Sequence, residues 1–273
     1  MQPQYTKMSK SDQVTDQDIY TLDSVGVVIA RQVIPTQDIA RINQLLDSYI
    51  LEKRPGKFPI MDIDNTFFDL MTIPWVMNLC KKMLGPGFRF DHSFGLQQPG
   101  QGEGPNLHGG PLSSQGCNYY VSHSDMTRCG RLSVGISLTH QSEKTGGFAY
   151  IPGSHKSSFG ISGIDVFKTL LNHSFEHDCV CIPTLEPGDV CVFTDGLVHG
   201  TSYWKLGTIR RSLYYMYSPG FIAWRPYHEI EKYLKLAKNQ LQIDLLRPPF
   251  VAEFQEDLLQ IASSKWRKDN YGL

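Results

Sequence analysis

The chain has 273 residues, 41% hydrophobic and 19% charged, enough apolar material for a sizeable core and too much for a disordered chain. Lysines and arginines (26) nearly balance aspartates and glutamates (27), for a net charge of -1. That balance offers no field for nucleic-acid phosphates or an anionic membrane, so neither is expected as a partner.

Residues 1–14 are polar, without the apolar stretch of a secretory signal, and are expected to form a mobile tail. No run of about 18 apolar residues predicts a membrane span. The six cysteines, Cys80, Cys117, Cys129, Cys179, Cys181 and Cys191, include no C-x-x-C pair. Buried free thiols in a reducing cytoplasm are the expectation.

A short helical start within 20–34 leads into the apolar run 25–30, a predicted strand. Thr36 then caps a helix on which Ile39, Ile42, Leu45, Leu46 and Tyr49 recur at helical spacing. A second helix is predicted over 72–84, ending at Gly85-Pro86-Gly87. From about 88 to 220 the character changes to short apolar or alternating runs, among them 131–138, 147–151, 180–183, 190–193 and 212–217. Gly, Pro, Ser and Asn separate them. Such punctuation predicts a sandwich or barrel. Residues 227–266 look helical again, broken at Pro248-Pro249. The expectation is one domain over 15–273, mainly β with flanking helices.

Two histidines stand in informative surroundings. His108 lies in the glycine-rich turn Asn106-Leu107-His108-Gly109-Gly110-Pro111, and His199 ends the strand that follows the Gly188-Asp189 turn. A jelly roll brings such distant strands to one barrel mouth. Further on, Arg210-Arg211 opens a strand in which alternation turns one guanidinium inward; an inward arginine needs an anion, and a carboxylate fits it bidentately. Gln97 and Gln98 lie within reach of the same end, and a strand tyrosine from Tyr214, Tyr215 or Tyr217 is expected to face inward. His155 is expected to be structural, His173 and His177 to bind nothing, and Asp189 to serve its turn. Trp204 and Tyr203 are equally placed for a pocket wall, a lid or the core.

The segments Gly146-Gly147-Phe148, Ile151-Pro152-Gly153-Ser154-His155-Lys156, Gly188-Asp189…His199-Gly200 and the arginine that follows resemble the phytanoyl-CoA dioxygenase family of Fe(II)/2-oxoglutarate oxygenases. The resemblance runs over about 20–224. It implies a double-stranded β-helix (a cupin-like jelly roll), with Fe(2+), 2-oxoglutarate and O2 as cofactor and co-substrates. It implies His108 as the early iron ligand, His199 as the late one and Arg210 as the 2-oxoglutarate anchor, with Arg211 the alternative. From its place before the His108 turn, Gln97 is a candidate co-substrate contact, with a solvated loop the equal alternative. Two imidazoles and a carboxylate on one face of Fe(II) leave positions open for keto acid and oxygen.

The sequence departs from the family at the residue two after His108, which is Gly110 rather than Asp or Glu. The missing carboxylate is sought in Asp195, although a straight strand would hold it roughly 13 Å from His199. The alternative is Asp125 in a formal His123-Ser124-Asp125 motif. A true vacancy at Gly110 resembles 2-oxoglutarate-dependent halogenases, in which a halide fills that place. Hydroxylation of a C–H bond in a small organic molecule is the leading expectation; halogenation, or a catalytically silent ligand-binding jelly roll, is the alternative. The sequence carries nothing on substrate identity or oligomeric state. Substrate contacts are expected from loops 100–125 and 157–177.

Overall fold

The computed structural model describes residues 13–49, 56–102, 107–110, 118–123, 126–157 and 178–250. Helix α1 (Asp16–Val25) starts with a reciprocal cap: the Thr15 hydroxyl accepts from the Asp18 N–H, and the Asp18 carboxylate accepts the Thr15 N–H at 2.8 Å. It stops at Gly26, which is left-handed, so the strand expected over 25–30 is shorter, β1 (Val27–Ala30). Helix α2 (Thr36–Tyr49) follows and buries Ile39, Ile42 and Leu46. Helix α3 (Asn65–Asp69) is capped by Asp64, and a 3-10 turn, Leu70–Thr72, leads into α4 (Pro74–Leu84). Pro74 at the first helical position sets that start, two residues later than expected.

The remaining strands are β2 (Gly56–Phe58), β3 (Arg89–Pro99), β4 (Tyr120–His123), β5 (Met126–Cys129), β6 (Leu132–Ser137), β7 (Phe148–Tyr150), β8 (Val190–Thr194), β9 (His199–Thr201) and β10 (Ile209–Ser218). Six of them form one antiparallel sheet in the order β1-β8-β6-β10-β3-β2. A second, short sheet pairs β7 with β9 and is widened by bridges from Tyr150 to Cys181 and from His199 to His108. Strands β4 and β5 form a hairpin.

Period-two alternation divides the large sheet into two faces. Leu213, Tyr215 and Tyr217 of β10 pack with Val134, Ile136, Val190 and Val192 under α2, α3 and α4, where Ile42, Leu46, Phe67, Phe68, Met71 and Leu79 complete a dry core. Burying each such side chain contributes roughly 1.5–3 kcal/mol. The Tyr215 and Tyr217 hydroxyls cross this layer and donate to the carbonyls of Phe67 (2.7 Å) and Met71 (2.6 Å). On the other face Val27, Ile29, Leu96, Phe193, Tyr214 and Met216 meet Phe148 and Tyr150 from the second sheet and Leu197 from the turn before it. The chain is thus mainly β, with helices laid on one face of its large sheet.

The C-terminal region is less helical than its sequence suggests. Its described part holds α5 (His228–Glu231), a 3-10 stretch Lys232–Leu236 and α6 (Gln240–Leu245), and the expected helix beyond 250 lies outside the described residues. The expected strand over 180–183 is reduced to the single bridge at Cys181. There Cys179 and Cys181 are half-buried rather than buried, unlike Cys80, Cys129 and Cys191; Cys117 lies outside the described residues. Among the described residues no helix is long and apolar enough to cross a membrane. Of the expected tail only Gln13 and Val14 are described; His173 and His177 lie outside, as do parts of the two expected substrate loops.

Candidate active site

A cavity of about 660 Å³ opens between the large sheet and the short one, and both candidate histidines line it. The His108 N–H donates to the His199 carbonyl (2.8 Å) and the His199 N–H to the His108 carbonyl (2.9 Å), which sets the two rings 4.5 Å apart between centroids. The Phe193 ring lies 4.6 Å from that of His199, and Phe148 lies 6.4 Å away, so the late histidine emerges from an aromatic wall. His199 Nδ1–H donates to the Leu197 carbonyl at 2.8 Å, which fixes the tautomer and leaves the Nε2 lone pair as the ring's acceptor. Burial, and then the neighbouring His108, lower the His199 pKa to about 3, so this imidazole is neutral and available as a ligand over the physiological range.

After His108 the chain turns through Gly109 and Gly110 at φ of +98° and +93°. A Cβ on Gly109 would stand 2.5 Å from the Leu197 carbonyl oxygen, so only glycine lets this segment lie against the turn before His199. Gly110 holds a backbone conformation that L side chains rarely adopt, and the carboxylate missing from the sequence there is not a simple substitution in an ordinary strand.

Asp195 lines the same cavity, but its carboxylate is engaged. It accepts from Arg131 Nε and Nη2 and from the Ser133 hydroxyl. Asp195, expected to fold back and complete a metal triad, shares the cavity with His199 while a guanidinium and a hydroxyl hold its carboxylate. Among the described residues no group of three or more His, Cys, Asp and Glu side chains is placed to hold a metal ion. Asp125 lies outside the described residues, and His123 is described only through its backbone in the β4–β5 hairpin.

The two arginines of β10 part company. Arg210 shares the cavity-side face of the strand with Tyr214 and Met216 and is 1% exposed. Its Nε donates to Gln141 Oε1 (2.9 Å), while Nη1 and Nη2 have no hydrogen-bond partner of good geometry among the described residues. Burial presses its pKa below the usual arginine range, with the Tyr214 phenol beside it opposing. This guanidinium has lost its water without gaining a counter-ion among the described residues. Arg211 faces the helices, donating from Nε to Gln97 Oε1 (2.8 Å) and pairing through Nη2 with Asp47 of α2 (2.7 Å). The alternative anchor is therefore spent on structure. Gln97 goes with it, because β10–β3 pairing sets it opposite Arg211 and turns it away from the cavity, contrary to the expected co-substrate contact. Gln98 instead donates to the Gly102 carbonyl.

Gln141 and Arg131 were not singled out by sequence. Gln141 holds Arg210 through Oε1, which also accepts the Phe148 N–H, while its Nε2 donates to Ser137 and Ser212. The Gly146-Gly147 turn was the available signal: a Cβ on Gly147 would collide with the Gln141 side chain. His155 is structural as expected, bonded to the Asp23 carbonyl and packed on Tyr120. Asp189 serves its turn, accepting from Arg31 and from the N–H groups of Gln32 and Glu186. Trp204 is a core residue whose Nε1 donates to the Thr208 carbonyl, and Tyr203 is exposed.

No protein-family model matches the sequence, and no curated protein matches it. Solved structures do. HygX from Streptomyces hygroscopicus with nickel and 2-oxoglutarate bound is 19% identical over 78% of this chain and 90% of its own, at a TM-score of 0.68. This chain shares that fold. The iron-bound form of HygX gives 21% identity and the same TM-score. The non-haem α-ketoglutarate-dependent epimerase SnoN of nogalamycin biosynthesis is 14% identical over 77% of this chain and 85% of its own (TM-score 0.56). EvdO2 from Micromonospora carbonacea var. aurantiaca, complexed with 2-oxoglutarate, is 14% identical over 76% and 91% (TM-score 0.57).

Proposed function

We propose that this chain is an Fe(II)- and 2-oxoglutarate-dependent dioxygenase that hydroxylates a C–H bond of a small organic molecule, built as a single double-stranded β-helix domain over 15–273 and akin to the phytanoyl-CoA dioxygenases. The observation that carries the reading is Arg210, a buried guanidinium on the same face of β10 as the cavity-lining Tyr214 and Met216, with two nitrogens that find no hydrogen-bond partner of good geometry among the described residues. A dicarboxylate such as 2-oxoglutarate supplies the bidentate anion it lacks. His108 and His199, whose rings already meet, are the residues that would hold iron. Bound iron with 2-oxoglutarate and O2 supplies the oxidising power, 2-oxoglutarate leaving as succinate and CO2.

The chain's own residues do the rest. Gln141 holds the Arg210 guanidinium in place for the distal carboxylate, and the Tyr214 hydroxyl stands beside it. Leu197 fixes the His199 ring, and Phe148 and Phe193 keep water from its flank. Gly110 offers no carboxylate of its own, and halogenation with a halide in that place is the second reading. The five free cysteines among the described residues suit a reducing cytoplasm.

Anaerobic titration with Fe(II) and then 2-oxoglutarate tests the proposal. The metal-to-keto-acid charge-transfer band is expected to appear, and a chain that binds neither would overturn the assignment. A halide-dependent shift of that band would select the halogenase.

A further inference from the structure

The cavity carries more positive charge than its own carboxylates balance. Lys57, Arg131, Arg225 and Lys232 line it, against Asp195 and Glu229. Asp195 is taken by Arg131. Glu229 stands 3.9 Å from Arg225, and Lys232 has Asp62 at 3.7 Å; these pairs are about half exposed and hold their partners weakly. His92, also on the wall, is bonded to the buried Asp91. Lys57 makes no ion pair among the described residues; its ammonium sits 4.3 Å from the centroid of the Phe94 ring. Arg131 lies 4.7 Å from the Trp224 ring, and its buried Nη1 has no hydrogen-bond partner among the described residues.

We propose that the substrate is an amphipathic small molecule bearing an anionic group, a carboxylate or a phosphate, which Lys57 receives with Arg131 and Arg225 while its apolar body lies against Phe94, Trp224 and Met216. The inference rests on the dioxygenase reading above and adds the substrate class to it. Lys57, without an ion pair among the described residues, faces two arginines of which Arg131 has Asp195 and Arg225 has only a weak pairing with Glu229, and an anion relieves the repulsion that is left. The strain shows at Lys57, whose pKa is lowered by its partial burial and then by Arg225 and Arg131, with only Asp195 opposing. A neutral substrate would leave this arrangement without compensation, and a cationic one would worsen it.

The test uses the anaerobic Fe(II)–2-oxoglutarate complex, with 2-oxoglutarate saturating, titrated calorimetrically with phenylacetate, phenyl phosphate and benzyl alcohol. At least one anion is expected to bind ten times tighter than the alcohol, and whichever anion is tighter distinguishes carboxylate from phosphate. Lys57→Gln is expected to weaken that anion at least fivefold and to leave the alcohol unchanged. Equal binding of all three probes, no binding of either anion, or indifference to Lys57→Gln overturns the proposal. So does anion binding that Arg210→Gln abolishes and Lys57→Gln spares, because the anion would then sit on the co-substrate anchor. A missing charge-transfer band with Lys57-dependent anion binding sinks the iron reading and keeps this one; a normal band with charge-blind binding does the reverse.

Discussion

His108 and His199 exchange both backbone hydrogen bonds, at 2.8 and 2.9 Å, so two residues far apart in sequence form one antiparallel pair with their rings on a shared face. This backbone pairing brings the imidazoles together. His199→Ala should therefore leave the circular dichroism spectrum unchanged while weakening Fe(II) binding by more than about a hundredfold, the scale expected for loss of a ligand. Undiminished iron affinity in this variant would contradict the assignment.

Arg210 and Arg211 should separate cleanly. Arg210→Gln removes two charge-assisted hydrogen bonds, each about 1.5–3 kcal/mol, and should raise the 2-oxoglutarate dissociation constant on the order of a hundredfold or more. Arg211→Gln should change it less than threefold and instead lower stability by about 1–3 kcal/mol, because Gln97 Oε1 loses its buried donor. Titration and urea denaturation of both variants read the two effects; the opposite pattern would swap the residues' roles.

Asp195→Asn leaves the Arg131 guanidinium buried without its counter-ion. Breaking such a pair should cost about 3–5 kcal/mol in denaturant unfolding. Iron affinity should change far less than in His199→Ala, because these carboxylate oxygens are already committed. A loss of iron binding as deep as that of His199→Ala would make Asp195 a ligand after all.

Gly110→Ala should lower stability by about 1 kcal/mol or more, since its φ of +93° strains any side chain. Gly110→Asp carries the same strain and adds a carboxylate to the vacant corner, so it should bind Fe(II) more tightly than Gly110→Ala. Equal affinity in the two variants would mean that position 110 does not face the metal.

His155 gives a pH prediction. Burial depresses its pKa below the unfolded value of 6.5, against the opposing hydrogen bond to the Asp23 carbonyl. The unfolded chain thus takes up a proton that the folded chain resists, and stability falls as pH drops below about 6.5. Thermal midpoints measured between pH 7.5 and 5 should decline less steeply in His155→Gln than in the wild type. Parallel slopes would show that the ring titrates freely.

Motif context was enough to pick out His108, His199 and the arginine pair, because glycine turns and strand ends leave marks in sequence. Which arginine faces the cavity was not legible: alternation states that neighbours oppose one another but not which is inside, and a one-residue shift reverses the answer. The partner of Asp195 was equally hidden, since Arg131 lies on a different strand and is joined to it only by folding. Strand β3 escaped the apolar pattern because Arg89, Asp91, Gln97 and Gln98 interrupt it. All four are buried, among them Arg89 3.6 Å from Asp91 and Gln97 bonded to Arg211. Before its expected break at Pro248-Pro249 the C-terminal region was over-read as helix because its apolar residues have helical spacing, whereas its described part is divided into two short helices and a 3-10 stretch.

The phenol bonds from Tyr215 and Tyr217 to the carbonyls of Phe67 and Met71 give the cavity an unyielding back. Strand β10 cannot bow toward the helices without stranding two buried polar groups, so a bulkier guest finds no room by pushing in that direction. Accommodation is left to the outer lip formed by Trp224, Arg225 and the short helix at His228–Glu231. Variation confined to that lip would retune which molecules enter while leaving the His108–His199 pair untouched.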